Sequence, residues 1–255
     1  MAISLPAAGS SAQVSLDNII NLGSTGSISM WFWPTWAQTD GVEHSLFDVR
    51  NSGANNYFTI NKFSDNSFQV GWYASGLDYR LKPASGSYTL NQNAWNHVLV
   101  TWNSGASNRN FFINGTQVSS AGTTFSTWAT NGRPMVLGAH DGGDHPANGR
   151  IAEFALYNVE LTLASGETDA LARRFAPPLI KRGLQLYIPF IRDVKKLVDA
   201  YGITLATSGT SVADHCPMHY RRAPQFSRTG SAPPPVNRLC IGPRVLLRPQ
   251  PTPLF

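Results

Sequence analysis

Trp95-Asn96-His97-Val98-Leu99-Val100-Thr101-Trp102, followed after a short break by Asn110-Phe111-Phe112-Ile113-Asn114-Gly115-Thr116-Gln117-Val118, decides the fold. In the first run Val98, Val100 and Trp102 fall on one side of an extended chain, the period of a half-buried strand. In the second, Asn114-Gly115 supplies the two positive-φ positions of a type I′ hairpin between two strand-forming runs. The same period extends outward from this centre. Ile28, Met30 and Phe32 share a face in Ser27 to Trp33, and Phe68, Val70 and Trp72 alternate likewise. Clusters such as Asn51-Ser52-Gly53-Ala54-Asn55-Asn56 separate the runs and carry turn chemistry. Short strands with tight turns over residues 27 to 157 predict an all-β, antiparallel β-sandwich. One helix interrupts the pattern, at Ser165 to Phe175. Glu167 and Asp169 fall in its first turn, Arg173 and Arg174 in its last, and Pro177-Pro178 stops it, so it is expected to close an end of the sandwich.

The 255 residues are 42% hydrophobic and only 14% charged, with 22 glycines and 17 prolines. This supplies a sizeable core and excludes a coiled coil or a chain disordered throughout. No run approaches the roughly eighteen apolar residues of a membrane span, so no membrane partner is expected. Met1 to Ser15 lacks the basic and apolar segments of a secretory signal, which makes a cytosolic or virion setting the expectation. The net charge of +5 conceals a division. Residues 1 to 170 carry seven basic against twelve acidic groups, and residues 171 to 255 carry thirteen against three. The chain is an acidic body with a basic extension.

The strand and hairpin motifs quoted above resemble the centre of laminin-G-like, concanavalin A-like jelly rolls. Met135-Val136-Leu137-Gly138-Ala139 and Gly149-Arg150-Ile151-Ala152-Glu153-Phe154-Ala155-Leu156-Tyr157-Asn158 resemble the closing strands of that family, with the helix following in its expected place. The resemblance covers residues 1 to 176 and implies one jelly-roll domain there. It leaves function open, because such domains bind glycans, proteins or only their neighbours. Many relatives place an Asp two residues after the glycine of the closing motif. Here Ile151 and Ala152 follow Arg150, so any loop network using that acid must be built differently.

Three sets of residues are candidates for chemistry. His140-Asp141-Gly142-Gly143-Asp144-His145 is the densest group of metal-ligating types. Asp141 and Asp144 on a glycine-rich loop are candidate Ca²⁺ ligands, and the resemblance adds that several laminin-G-like domains hold Ca²⁺ in rim loops. The competing reading is a solvated turn, and Zn²⁺ lacks a third nitrogen or sulfur donor nearby. Aromatics form the second set: Trp33, Trp36, Trp72 and Trp128, with Tyr73 and Tyr79, are candidates for stacking a sugar ring, though a sandwich also needs aromatics in its core. Catalysis of the glucanase kind needs two facing carboxylates, and the four glutamates, Glu43, Glu153, Glu160 and Glu167, are scattered, so no enzyme is expected. His97 is read as part of the strand rather than as a base.

Beyond the jelly roll, Gly183 to Phe190 reads as a strand, and Val194, Leu197, Val198 and Tyr201 fall at helical spacing. These predict a small subdomain over 177–215, packed on the body. Asp199 to Thr207 and Gly209 to His215 resemble an ending recurrent in laminin-G-like proteins of tailed bacteriophages, which implies a virion structural protein. Residues 216–255 read as an extended arm. Nine of the seventeen prolines lie from Pro217 onward, and Arg221, Arg222, Arg228, Arg238, Arg244 and Arg248 face no acid after Asp214. At about 3.1 Å per residue such an arm reaches on the order of 120 Å. Its apolar residues, Leu246, Leu247 and Phe255 among them, favour an arm that orders on a neighbouring subunit over nucleic-acid binding, for which stacking aromatics are few. Cys216 and Cys240 are expected to be free thiols. The expected function is a capsid decoration or cement subunit, assembling with itself or a major capsid protein. The alternative is a carbohydrate-binding module displayed on a phage particle or tail.

Overall fold

Strand β3 (Thr25–Pro34) lies at the centre of the first sheet because its neighbours pair along its whole length. On one side stand β8 (Asn96–Asn103), β9 (Asn108–Ile113) and β10 (Thr116–Ala121); on the other, β12 (Gly149–Tyr157), β1 (Ala2–Leu5) and β15 (Ser211–Ala213), with β13 (Leu184–Ile188) also pairing β12. The second sheet runs β14 (Leu205–Ser208), β2 (Gln13–Leu16), β11 (Met135–Leu137), β4 (His44–Arg50), β5 (Tyr57–Lys62), β6 (Phe68–Ala74) and β7 (Leu77–Asp78). All these pairs are antiparallel. The computed structural model describes residues 2–5, 13–16, 22–50, 56–74, 77–84, 86–125, 134–140, 143–173, 177, 180–190, 205–208, 210–214 and 217–218.

The period-two expectation holds at each strand that carried it. Ile28, Met30 and Phe32, then Phe68, Val70 and Trp72, then Val98, Val100 and Trp102 all enter the common core. Aromatic rings join the sheets there: Phe47 stacks on Phe154 at 5.8 Å, and Trp72 meets Trp102 edge-on at 5.1 Å. Asn114 and Gly115 take φ of 51° and 83°, the expected hairpin between β9 and β10. In β12 the register shifts between Ala152 and Ala155, a bulge in which Glu153 has φ 54°. Glu153 is fully buried and accepts a hydrogen bond from Tyr187 Oη of β13 at 2.5 Å.

The helix, α1 (Glu167–Ala172), is shorter than its sequence pattern. Arg173 is its C-cap, bonded to Asp169 at 2.9 Å, and Arg174 lies outside the described residues. Leu171 packs with Leu99, Phe112, Ala155 and Tyr157, which point away from the main core. The helix therefore roofs the outer face of the first sheet instead of closing an end. Of the stretch 177–215, β13, β14 and β15 extend the two sheets. Val194, Leu197, Val198 and Tyr201 lie outside the described residues, as do Cys216, Cys240 and the whole of 221–255, which separates from Met1–Tyr220 as a second unit. Among the described residues no helix is long and apolar enough to cross a membrane.

His97 of β8 faces outward from the core yet is fully buried. Its Nε2 lies 2.9 Å from Ser29 Oγ, its ring is 5.2 Å from that of Trp31, and Nδ1 has no hydrogen-bond partner among the described residues. Burial penalises the cation and pulls the imidazole from 6.5 down to about 3. The folded value lies below the unfolded one, so this stability is complete above pH 6.5 and is lost as pH falls from there toward 3. The slope reaches about 1.4 kcal/mol per pH unit. His97→Gln is expected to take up one proton fewer on unfolding between pH 6.5 and 4, measured from urea midpoints across that range; an unchanged proton count would show that His97 is not buried neutral.

Candidate functional site

The outer faces of the two sheets differ in kind. On the first sheet, α1 and its apolar partners cover Leu99, Phe112 and Tyr157. On the second, residues out of phase with the core are polar or aromatic: Asp48 and Arg50 on β4, Tyr57, Thr59 and Asn61 on β5, Gln69, Gly71 and Tyr73 on β6. Register brings Arg50, Tyr57, Tyr73 and Asp78 into one row across β4 to β7. Tyr57 and Tyr73 stack with ring centroids 5.2 Å apart and planes 10° apart, both half-buried. The Arg50 guanidinium sits 5.5 Å from the Tyr57 ring centre. From the other side Arg80 reaches Tyr57 Oη at 3.4 Å and borders a shallow depression with Phe63, Asp65, Gln69, Asp78 and Lys82.

Each cation of this face has a carboxylate beside it. Arg50 Nε donates to Asp48 at 2.7 Å, Arg80 Nε to Asp78 at 2.6 Å, and Lys82 Nζ to Asp65 at 2.8 Å. The first two pairs are two residues apart; Asp48 and Arg50 share a face of β4, the spacing that puts both side chains on the same side, and Arg80 follows two residues after Asp78, where β7 ends. Lys82 and Ser67 hold the Asp65 carboxyl well below the usual range. The face thus offers aromatic surface and fixed polar groups with its charges neutralised locally. Gly71 matters here because a Cβ on it would stand 2.7 Å from Thr59 Oγ1 and 3.1 Å from Tyr57 Cε2.

The sequence-level aromatic candidates divide. Trp72, 2% exposed, is wedged among Phe58, Trp102 and Phe125 in the core. Trp36, 7% exposed, donates from Nε1 to the Ala147 carbonyl at 2.7 Å and stacks on His44. Neither has a free ring face for a sugar. Trp33 is half-buried on the outer face of the first sheet, flanked by Trp95 at 5.7 Å and by Arg150 at 5.2 Å. Tyr79 packs on the core edge beside Phe125, Tyr73 belongs to the tyrosine row, and Trp128 lies outside the described residues. Tyr57 was not among the candidates. Its signal was its phase: Phe58 and Trp72 face inward, so Tyr57 and Tyr73 must face out.

The loop after β11 is pinned by backbone bonds: Ala147 N–H to Gly138 O at 2.7 Å, and Ser45 N–H to His145 O at 2.9 Å. This sets His140 over the sheet face, where Asn61 Nδ2 donates to its Nε2 at 2.7 Å. Burial, with Arg50 adding to it, lowers the His140 imidazole to about 4. Asp144 is exposed, 3.8 Å from His140 Nδ1 and 3.7 Å from His145 Nε2. Asp141 lies outside the described residues. The described donors of the loop are thus one exposed carboxylate and two imidazoles, a poor match for a hard, oxygen-seeking Ca²⁺. The arginines and apolar residues of the C-terminal arm also lie outside the described residues.

Residues 8–165 match the family profile of the concanavalin A-like lectin/glucanases superfamily. No curated protein matches the chain in sequence. Among solved structures, a heptameric pentraxin from Limulus polyphemus is similar over 82% of this chain and 95% of its own, at 15% identity and TM-score 0.55. A Bacteroides ovatus protein assigned by inference to carbohydrate binding is similar over 86% of this chain and 61% of its own, at 15% identity and TM-score 0.59. Gly71→Ala is expected to cost about 1–3 kcal/mol and to part the Tyr57–Tyr73 stack. Urea unfolding and the tyrosine near-ultraviolet circular dichroism check both effects.

Proposed function

We propose a function from the premise that this chain belongs to the concanavalin A-like lectin/glucanases superfamily: it is a non-catalytic carbohydrate-binding protein that holds a neutral saccharide on the outer face of the second sheet. The observation that carries this reading is the Tyr57–Tyr73 stack in a row with Arg50 and Asp78. A pyranose offers an apolar C–H face and a rim of hydroxyls. The tyrosines meet the first, and guanidinium and carboxylate groups fixed beside them meet the second. Because each arginine is already neutralised by its own aspartate, the face carries little net field to select an anionic ligand. The Bacteroides ovatus protein supports the reading at the level of a shared fold.

The carboxylates of this face argue against hydrolysis. Glycosidases set two carboxyl groups about 5–10 Å apart across the scissile bond, one of them free to deliver a proton. Here Asp48 is fully buried against Arg50 and Asp78 is tied to Arg80. Neither is poised to give up a proton to a leaving group.

A glycan array is expected to return neutral saccharides. Tyr57→Ala and Tyr73→Ala should each weaken the best of them at least tenfold, about 1.4 kcal/mol, while Tyr→Phe at either position retains most of the affinity. An array without selectivity, or full affinity in the double alanine variant, would sink this assignment. The virion setting is a separate proposal, a capsid decoration or cement subunit, resting on the resemblance of Asp199 to Thr207 and Gly209 to His215 to an ending of tailed-bacteriophage proteins and on the composition of 216–255. Removal of 217–255 is expected to leave saccharide affinity unchanged and to abolish self-association or particle binding in sedimentation velocity.

A further inference from the structure

Four residues along β5 from Tyr57, about 13 Å at the usual rise, the same sheet face carries a second and chemically different group. Glu43 precedes β4, and His140 and His145 flank the loop after β11. Glu43 Oε1 lies 3.5 Å from His140 Nε2, Glu43 Oε2 lies 3.9 Å from His145 Nδ1, and the two imidazole rings meet edge-to-face at 4.6 Å. One donor atom from each of the three falls within 4.8 Å of the others. Four ligands at about 2.0–2.1 Å around a tetrahedral centre stand about 3.4 Å from one another. The two Glu43–imidazole spacings, 3.5 and 3.9 Å, stand near that value, and the remaining spacing lies within 4.8 Å.

A separate observation points to the same spot. Asn61 is 1% exposed, and its Oδ1 has no hydrogen-bond partner among the described residues. Its Nδ2 donates instead to His140 Nε2, and also to Glu43 Oε1 at 3.3 Å, so the amide faces the centre of the cluster with its amino side. Turning that amide over would present the orphan carbonyl oxygen to whatever displaced the proton-bearing contact. The surroundings suit a cation. Asp48 and Asp144 lie within 3.8 Å of His140, and the nearby cations Arg50 and Lys62 are each already paired, with Asp48 and Asp40.

We propose that Glu43, His140 and His145, with Asn61 Oδ1 as fourth donor, form a binding site for a borderline divalent cation of the Zn²⁺ class. Two imidazole nitrogens and two oxygens in four-coordinate spacing match Zn²⁺ or Co²⁺ and offer too few oxygens for Ca²⁺ or Mg²⁺. The cation would tie the loop after β11 to β4 and β5 at the end of the sheet face remote from the tyrosines.

The test uses the full chain without an affinity tag and without saccharide, so that its outcome is independent of glycan binding. Titration calorimetry at pH 7.5 with Zn²⁺ is expected to give one site per chain, micromolar or tighter, with no comparable heat from Ca²⁺ or Mg²⁺. Co²⁺ should give the intense visible absorption of a tetrahedral site. His145 is 41% exposed, so His145→Ala should keep the metal-free melting temperature and lose at least tenfold in Zn²⁺ affinity; Glu43→Gln should do the same. A variant with His215→Ala, Cys216→Ser, His219→Ala and Cys240→Ser removes the imidazole and thiol donors of the C-terminal stretch and should leave that site intact. The proposal is overturned by absence of Zn²⁺ binding at millimolar concentration, by affinity that His145→Ala and Glu43→Gln leave unmoved, or by Ca²⁺ binding as tightly as Zn²⁺.

Discussion

Phe58, Trp72 and Trp102 meet between the sheets with ring centroids 4.6, 5.1 and 5.7 Å apart, and this contact governs what the outer surface can present. A strand has two faces and no third choice. Once Phe58 and Trp72 are committed inward, Tyr57 and Tyr73 must stand on the outside, and the β5–β6 register sets them opposite each other. The outward tyrosine pair is thus a by-product of core packing. A one-residue slip of either strand would send a tyrosine into the core and an aromatic core residue into water.

The charges of that face follow the same geometry. Asp48 and Arg50 on β4, and Asp78 at the end of β7 with Arg80 just beyond it, are pairs at i, i+2, so each guanidinium finds its carboxylate two residues away. Arg50 is half-buried and Arg80 exposed, and each keeps further N–H groups beyond the one that meets its aspartate. Within each ion pair the two charges neutralise each other locally.

At the far end of the face, the chain converges from three places. The 35–43 segment that leads to Glu43 is anchored by buried Lys62, whose Nζ donates to Asp40, to the Val42 carbonyl at 2.9 Å and to Asn66 Oδ1 at 3.0 Å. The loop after β11 is anchored by its backbone bonds to β4 and to Gly138. Two independently fixed segments therefore bring a carboxylate and two imidazoles together over Asn61. Their convergence comes from backbone anchoring, which is why donor atoms so far apart in sequence lie at coordination distance.

Much of the sandwich was legible from alternation alone: the inward faces at Ile28–Phe32, Phe68–Trp72 and Val98–Trp102, the Asn114-Gly115 hairpin and the existence of the helix, though not where it packs, all follow from local rules that act over a few residues. Trp36 and Trp72 show where that reading stops. Their residue type suits a sugar platform or a core equally, and only the packing of Phe58, Trp102, His44 and Ala147 around them decides for the core. The density of donors at His140 to His145 was visible as well, but not Glu43 and Asn61, which complete the group from strands about eighty to one hundred residues away. By itself the sequence determined which residues form strands and which side of each strand must be dry, because steric and hydrophobic periodicity are local. Tertiary structure alone decided which outward side chains meet, because that depends on strand order and register, and these are set by the packing of the whole core.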